Sequence, residues 1–358
     1  MNELDRPANV STGLDPGLQA IRQGIAIANL DHLTPIALSG PGATAALTRH
    51  CTADLRIRDG RMRPSLLLDD RGLPIADLHL CRDDERFVLL AEGLSGAALT
   101  ERLTDGAHAD DLVLERLDQT HRIIGLTGPY AWELMAVLVG DEVVALPHGS
   151  FFRFDDWLCF RAGKTGEYAY DLLVPRARAE ALRGRILDEG RRFDLVPADL
   201  FALDQAALES NVFNIRHEGR AGATPLELQL QWRLHNRAEY IGAAALRAQR
   251  EAGIPRRTTA ITSGGALAIG DPVQFEERRI GTVVNAGFST ARGDFVGIAL
   301  LDRAYAHAGI DRYAAVHDGT RQPIATVSLP FINNRSLFIA PRKHRYADRD
   351  RDAFPPLS

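Results

Sequence analysis

The sequence predicts an α+β protein: two related α/β halves followed by a C-terminal antiparallel β-barrel, the three parts enclosing a central cavity. Three observations carry this. Residues 35–47 (PIALSGPGATAAL) and 122–134 (RIIGLTGPYAWEL) read alike, as an apolar strand, a small polar residue, Gly-Pro and an amphipathic helix. Each is followed by a strand pair, SLLLDDRGLPIADLHLC after the first and DDWLCFRAGKTGEYAYDLLVP after the second, so one unit recurs roughly 90 residues on. Beyond Pro255 the chain breaks into short strands at close spacing, the pattern of a small barrel. Two such halves place a site where they face each other, so the inner strands are the ones to inspect.

In chain order, residues 1–16 read as a loose arm, and 17–27 has helical spacing. IALSG leads into a helix over 43–51, and strands follow with turns at Asp59-Gly60, Arg71-Gly72 and Asp83-Asp84. A helix over 94–103 closes the first half. The second starts near Leu112 and runs through a helix at 130–139, strands over 143–175 and a helix at 176–189. Segments 198–210 and 224–234 read as helices joined by the Gly-rich HEGRAGATP, and 242–252 as a helix stopped by Gly253 and Pro255. RRTTAITSG, PVQFEE, RIGTVVNAGFS, FVGIALL, YAAVHD and PIATVSLPF are the barrel strands. The tail PRKHRYADRDRDAFPPLS is charged and Pro-rich, which predicts disorder. The expected division is an arm (1–16), halves at 17–110 and 111–254, a barrel (255–342) and a disordered tail (343–358).

At 358 residues, two or three domains are expected. A hydrophobic content of 45% with 25% charged residues is a soluble globular composition. The net charge of -5 gives no support for a nucleic-acid surface. No apolar run reaches the roughly 18–20 residues of a membrane helix, and MNELDRPANVSTGLD has no signal-peptide core. Cys51, Cys81 and Cys159 are too few and too scattered for a disulfide framework. These readings predict a cytoplasmic, reduced protein with no nucleic-acid or membrane partner. They carry no signal of oligomeric state.

Five segments, in order, resemble one family. LLLDDRGLPIADLHL is similar to the strand pair LLNxxGGIxDDLxV, and AGKTGEYAYDLLV to TGYTGExGFEI. LDQAALESNVFNIRHEG with TPLELQLQW resembles RLEAGxxxYGxE with TPxEAGLxW. EYIGAAALRAQREAGIPRR resembles DFIGREALxxQKxxGxxRR, and IGTVVNAGFSTARGDFVGIALL resembles IGxVTSGxxSPxLxxxIALAYV. These belong to the glycine-cleavage T-protein (aminomethyltransferase) superfamily, and the resemblance covers almost the whole chain. It implies a T-protein-like folate-binding fold and an enzyme that passes a methyl or methylene group from an amine, ether or thioether of a small molecule to tetrahydrofolate, as aminomethyltransferases and demethylases do. NIRHEG stands where the iron–sulfur-assembly branch carries KGCYxGQE, which argues against that branch.

By the resemblance, Asp77 matches the second Asp of the family's DD pair and is the catalytic candidate, a fixed negative charge near a nitrogen that changes protonation. Its exchange for Asn is expected to cost turnover and not stability. Asp171 aligns with the glutamate that reads the pterin edge, one methylene shorter; a carboxylate suits two N–H donors. By strand alternation Tyr168, Tyr170 and Leu172 share one face, and Ala169 and Asp171 the other. Lys164 replaces a tyrosine. Gly163-Lys164-Thr165 mimics the end of a phosphate loop, but Leu158 stands where its first glycine belongs and a strand follows, not a helix. Tyr168, Glu209, Trp232 and Arg237 complete the expected cofactor-binding set. Against tetrahydrofolate stand Pro64 for a tyrosine, Ala207 for an arginine, Ala91 or Glu92 for an asparagine, and the shorter Asp171. A folate-independent enzyme of specialised metabolism on this scaffold and a non-catalytic folate-binding protein are the alternatives. His79 and Cys81 share one strand face without the further ligands a zinc site needs, so no metal is expected.

Overall fold

The computed structural model describes residues 15–106, 111–235 and 239–357. The expected N-terminal arm lies outside these but for Asp15 and Pro16, which start α1 (Pro16–Gln23). The Asp15 carboxylate accepts the Leu18 N–H at 2.9 Å, and Pro16 occupies the first turn, where a missing N–H costs nothing. The helix stops at Gly24 instead of reaching Ile27. Ile25, Ala26 and Ile27 are buried on both faces, and β1 (Ala26–Asn29) takes that run.

The repeated unit in the sequence is a repeated unit in space. The first comprises β2 (Leu33–Ser39), α2 (Ala43–His50), β3 (Met62–Leu68), β4 (Pro74–Asp83), β5 (Arg86–Glu92) and α3 (Gly96–Thr104). After β6 (Val113–Glu115) and α4 (Leu117–Thr120), the second comprises β7 (His121–Thr127), α5 (Ala131–Val139), β8 (Ser150–Phe154), β9 (Trp157–Arg161), β10 (Ala169–Pro175) and α6 (Arg176–Gly190). Strand order is β3-β4-β5-β2 in one sheet and β8-β9-β10-β7 in the other, with antiparallel pairing throughout both quartets. The shared Gly-Pro turn has one physical reason. Gly40 and Gly128 both have positive φ, 94° and 135°, and a side chain at either would collide with a carbonyl, that of Asp111 or of Gly24.

The units exchange their leading strands. β1, which precedes the first unit, pairs with β7 of the second; β6, which precedes the second, pairs with β2 of the first. The sheets therefore do not divide at 110/111, because strand pairing is non-local and leaves no mark in local periodicity. β11 (Val196–Pro197) lies parallel beyond β1.

Apolar alternation sets the layers. Leu38, Leu80 and Leu89 pack with Leu47 of α2 and Leu99 and Leu103 of α3. Tyr170 and Leu172 pack with Leu134 and Met135 of α5 and Ile186 of α6. The other faces of both sheets share a core of Leu30, Val88, Leu90, Phe151, Leu158 and Leu173. The result is helices, sheet, sheet, helices, with the site at the sheet–sheet seam.

α7 (Leu200–Glu209), capped by Asp199, leads out of the second sheet. The helix expected over 224–234 closes only one turn: Leu228 N–H donates to Thr224 O at 3.0 Å, and Gln229 then takes φ 61°. Residues 223–228 are buried without a break, so the segment has no solvent-facing side of the kind an amphipathic surface helix shows. After α8 (Ala243–Ala252) the six predicted strands, β12 (Arg256–Ser263), β13 (Pro272–Phe275), β14 (Arg278–Ser289), β15 (Asp294–Asp302), β16 (Tyr313–His317) and β17 (Thr320–Val327), form a closed barrel in the order β12-β15-β14-β13-β16-β17. Closure leaves no sheet edge to cap.

The tail corrects a sequence expectation. Tyr346 is buried against Tyr130 and Phe193, with ring centroids 5.6 and 5.7 Å away, and its hydroxyl donates to Asp194 at 2.8 Å. One aromatic with a polar tip docks a segment whose composition alone predicts disorder. No helix among the described residues is long and apolar enough to cross a membrane.

Candidate functional site

A cavity of about 1260 Å³ lies between the first sheet, the loop after β9, the segment around 211–233 and the barrel. β4 contributes Asp77 and His79 to its wall, the β9–β10 loop Lys164, and the segment before α8 Trp232 and Arg233. Arg56, Arg58, Arg61, Arg63 and Arg257 add cations, while Asp77 and Glu218 are the carboxylates in the lining. Such a wall draws anionic ligands.

Asp77 sits mid-strand, opposite Glu92 on β5. Two carboxylates directly opposed repel unless a cation lies between them. Lys164 supplies it: its Nζ donates to Asp77 Oδ2 at 2.7 Å and to Glu92 Oε2 at 2.6 Å. Arg233 Nη1 takes the other Asp77 oxygen at 2.5 Å, and Arg216 Nε takes the other Glu92 oxygen at 2.6 Å. Arg216 is in turn paired with Asp204. The ladder Arg233–Asp77–Lys164–Glu92–Arg216–Asp204 alternates in sign and sums to zero. Burial favours the neutral form of Asp77, but the charges of Lys164 and Arg233 outweigh it and hold the carboxyl down at about 2. Burial likewise opposes the Lys164 charge, and Asp77 and Glu92 win, raising its pKa. Burial moves His79 the other way, down to about 4, so its imidazole is neutral at physiological pH.

Beyond Lys164 lies a second, smaller space of about 70 Å³, which shares Asp77, His79, Gly163 and Lys164 with the first. Lys164, bridged to Asp77 and Glu92, thus lines both spaces. Asp171, on β10 opposite Gly125, lines the inner space with Leu30, Leu90 and Ala207. It is 8% exposed, and the structure gives its carboxylate no hydrogen-bond donor among the described residues. Burial pushes its carboxyl up to about 7, with only the Lys164 charge opposing.

A family model described as the GCVT N-terminal domain matches residues 6–237. The chain belongs to this family. Among its curated relatives, the aminomethyltransferase of Corynebacterium aurimucosum is 28% identical over 330 residues, covering 87% of this chain and 88% of that one. That of Lysinibacillus sphaericus is 26% identical over 325 residues, again covering 87% and 88%. The crystal structure of glycine cleavage system aminomethyltransferase T from Bartonella henselae superposes with a TM-score of 0.80 over 89% of each chain, at 24% identity, which shows the shared fold. This GCVT-family protein is thus an enzyme, a transferase of the aminomethyltransferase type.

Of the residues singled out in its sequence, Asp77 and Lys164 are in contact and line both spaces, Asp171 lines the inner one, and Trp232 lines the outer cavity and is 64% exposed. Two others are elsewhere. Glu209 is fully buried, accepting Arg22 Nε at 3.0 Å and Ser289 Oγ at 2.7 Å; it ties α7 to α1 and the barrel and lines neither cavity. Tyr168 lies on the helix side of its sheet, its hydroxyl donating to Ile339 O at 3.3 Å and its ring under the Arg161 guanidinium. Arg237 lies outside the described residues. Arg233, four positions earlier, holds Asp77. With two cations on it, Asp77 is also a structural charge, so Asp77→Asn is expected to lower stability, against the expectation that it leaves stability unchanged. Sequence reading missed Arg233, Arg216 and Asp204. Glu92 carried one signal: it stands seven residues after Glu85, as Asp77 stands seven before Asp84, so a hairpin turning there sets the two carboxylates opposite each other. Among the described residues no group of His, Cys, Asp and Glu is placed to hold a metal ion.

Proposed function

We propose that this enzyme moves a methyl or methylene group from an amine, ether or thioether of a small substrate to a tetrahydrofolate carrier held in the central cavity. The observation that carries the reading is a buried, ionised carboxylate, Asp77, in the wall of a large cavity whose charged lining residues are, apart from Asp77 and Glu218, cations. Bound there, the carrier supplies the nitrogens that accept the one-carbon unit.

The residues fit such a carrier in the outer cavity. The volume exceeds the roughly 300–1,000 Å³ typical of ligand sites. The arginines suit the carboxylates of a glutamyl tail, and the exposed face of Trp232 suits an aromatic ring. They do not fit its bicyclic ring at Asp171, because the inner space of about 70 Å³ holds only a few waters.

With a pKa of about 2, Asp77 does not accept a proton near neutrality. Its work is electrostatic: a fixed negative charge that orients a nitrogen and stabilises positive charge developing on it. His79 in the same wall, its imidazole pushed down to about 4 by burial, is neutral and likewise takes up no proton near neutrality, so it acts there as a neutral hydrogen-bonding group. Beyond this, the chain brings two reactants together, and proximity supplies much of the rate. Three buried free cysteines suit a reducing compartment, and we place the protein in the cytoplasm.

Titrating folinate, a stable tetrahydrofolate analogue, into the pure protein tests the reading. Expected is weak, salt-sensitive binding with a dissociation constant on the order of 0.1–1 mM. Absence of binding at several-fold higher concentration would sink it and favour a folate-independent enzyme on the same scaffold. The observation on that side is the Lys164 bridge, which fills the place next to Asp77.

A further inference from the structure

We propose that Lys164 is a specificity-determining residue: its bridge to Asp77 and Glu92 closes an inner ligand pocket that ends at Asp171, and keeps ring-bearing ligands of the central cavity in its outer part. The proposal rests on the reading that the central cavity is the ligand site.

The inner space is built as a binding site. Asp171 is more than nine-tenths buried, and its carboxylate opens into the pocket with no donor on it among the described residues. Apolar walls from Leu30, Leu90 and Ala207 flank it. An acceptor at the end of an apolar slot takes a flat heterocycle that presents N–H donors at its edge. The slot has the chemistry for such a ring and lacks the room.

What removes the room is one side chain. Gly163 has φ 153°, and a Cβ there would run into Ala169, so only glycine lets the loop before Lys164 pass this close to β10. The flexible part is the four-carbon stem of Lys164, which lines both spaces with about a quarter of the side chain exposed. Its withdrawal orphans neither carboxylate, since Asp77 keeps Arg233 and Glu92 keeps Arg216. The partition can therefore be removed while the rest of the ladder stays paired.

Folinate affinity is measured for the wild type, Lys164→Ala, Asp171→Asn and the double variant, with a thermal melt on each. Lys164→Ala is expected to tighten binding by about tenfold or more. The double variant is expected to lose that gain, and Asp171→Asn alone to change affinity by less than about twofold. If Lys164→Ala does not fold, Lys164→Met, which keeps the stem and drops the ammonium, is expected to show a smaller gain of the same kind. Equal affinity in wild type and Lys164 variants, or an Asp171→Asn loss as large in the wild type as in Lys164→Ala, overturns the proposal. Wild-type affinity reads the proposed function, and the ratio between variants reads the partition. Binding to Lys164→Ala alone would reject the carrier for the native enzyme while upholding the partition; binding to neither would reject both.

Discussion

Asp77 and Asp171 make a controlled comparison inside one molecule. Each lies on an inner strand of one of two facing sheets, one is 4% exposed and the other 8%, and both line the inner pocket together with Lys164. Yet one carboxyl is held at about 2 and the other pushed up to about 7. Burial acts on both in the same direction. The difference is partners: Asp77 has two cations within hydrogen-bond distance, and Asp171 has none. One region is a finished charge network, and the other is an acceptor waiting for a donor. Conserving burial while changing partners is enough to give two carboxylates two chemistries.

Removing the charge at Asp77 should have the largest effect. Asp77→Asn is expected to cut turnover by about a hundredfold or more, about 2.7 kcal/mol of transition-state stabilisation. It should also lower stability by about 3 kcal/mol, because Arg233 is left buried without its counterion. Steady-state kinetics and denaturant melts on the same preparation separate the two. Lost stability with intact turnover would make Asp77 a counterion for Lys164 and Arg233 and nothing more.

Asp171 should respond with the opposite sign. Its folded pKa of about 7 lies above the ordinary 3.8, so the folded state holds a proton that the unfolded state releases. The stabilisation this gives is complete below the ordinary value and lost as pH rises through about 7. Asn is neutral at every pH. Asp171→Asn is therefore expected to exceed the wild type in stability near about pH 8, by about 4 kcal/mol at most, and to match it near about pH 4. A constant difference across that range would mean that Asp171 is not protonated in the fold.

Local pattern made much of this legible. The Gly-Pro repeats and the barrel strands announce themselves through alternation and turn residues, and all six barrel strands fall where the sequence puts them. The exchange of β1 and β6 between the units does not, because nothing local marks which sheet an apolar run will join. The same line divides the site. Asp77, Lys164 and Asp171 sit in segments with recognisable patterns. Arg216 lies in irregular backbone after α7 and Arg233 at the end of a single 3-10 turn, and their partners are 124 and 156 residues away. A charge ladder drawn from four separate chain segments is visible only once the chain is folded, although the facing positions of Asp77 and Glu92 across one turn already call for a cation.

The smallest expected effect tests how many partners Asp77 needs. Arg233→Met keeps an apolar stem between Phe213 and Trp232, the rings its guanidinium now covers at 5.5 and 4.9 Å, and removes one of the two cations. Asp77 retains Lys164, so the ladder is shortened and not cut. Because the Asp77 pKa is depressed, its contribution to stability is present above the ordinary 3.8 and lost as pH falls through about 2. Without Arg233 that loss should begin earlier, with the carboxyl midpoint moving up by about one pH unit, read from its carbon chemical shift in an acid titration. An unmoved midpoint would assign the whole depression to Lys164. Asp77 would then differ from Asp171 by a single ammonium, and the same side chain that shuts the inner pocket would alone set the charge of the outer one.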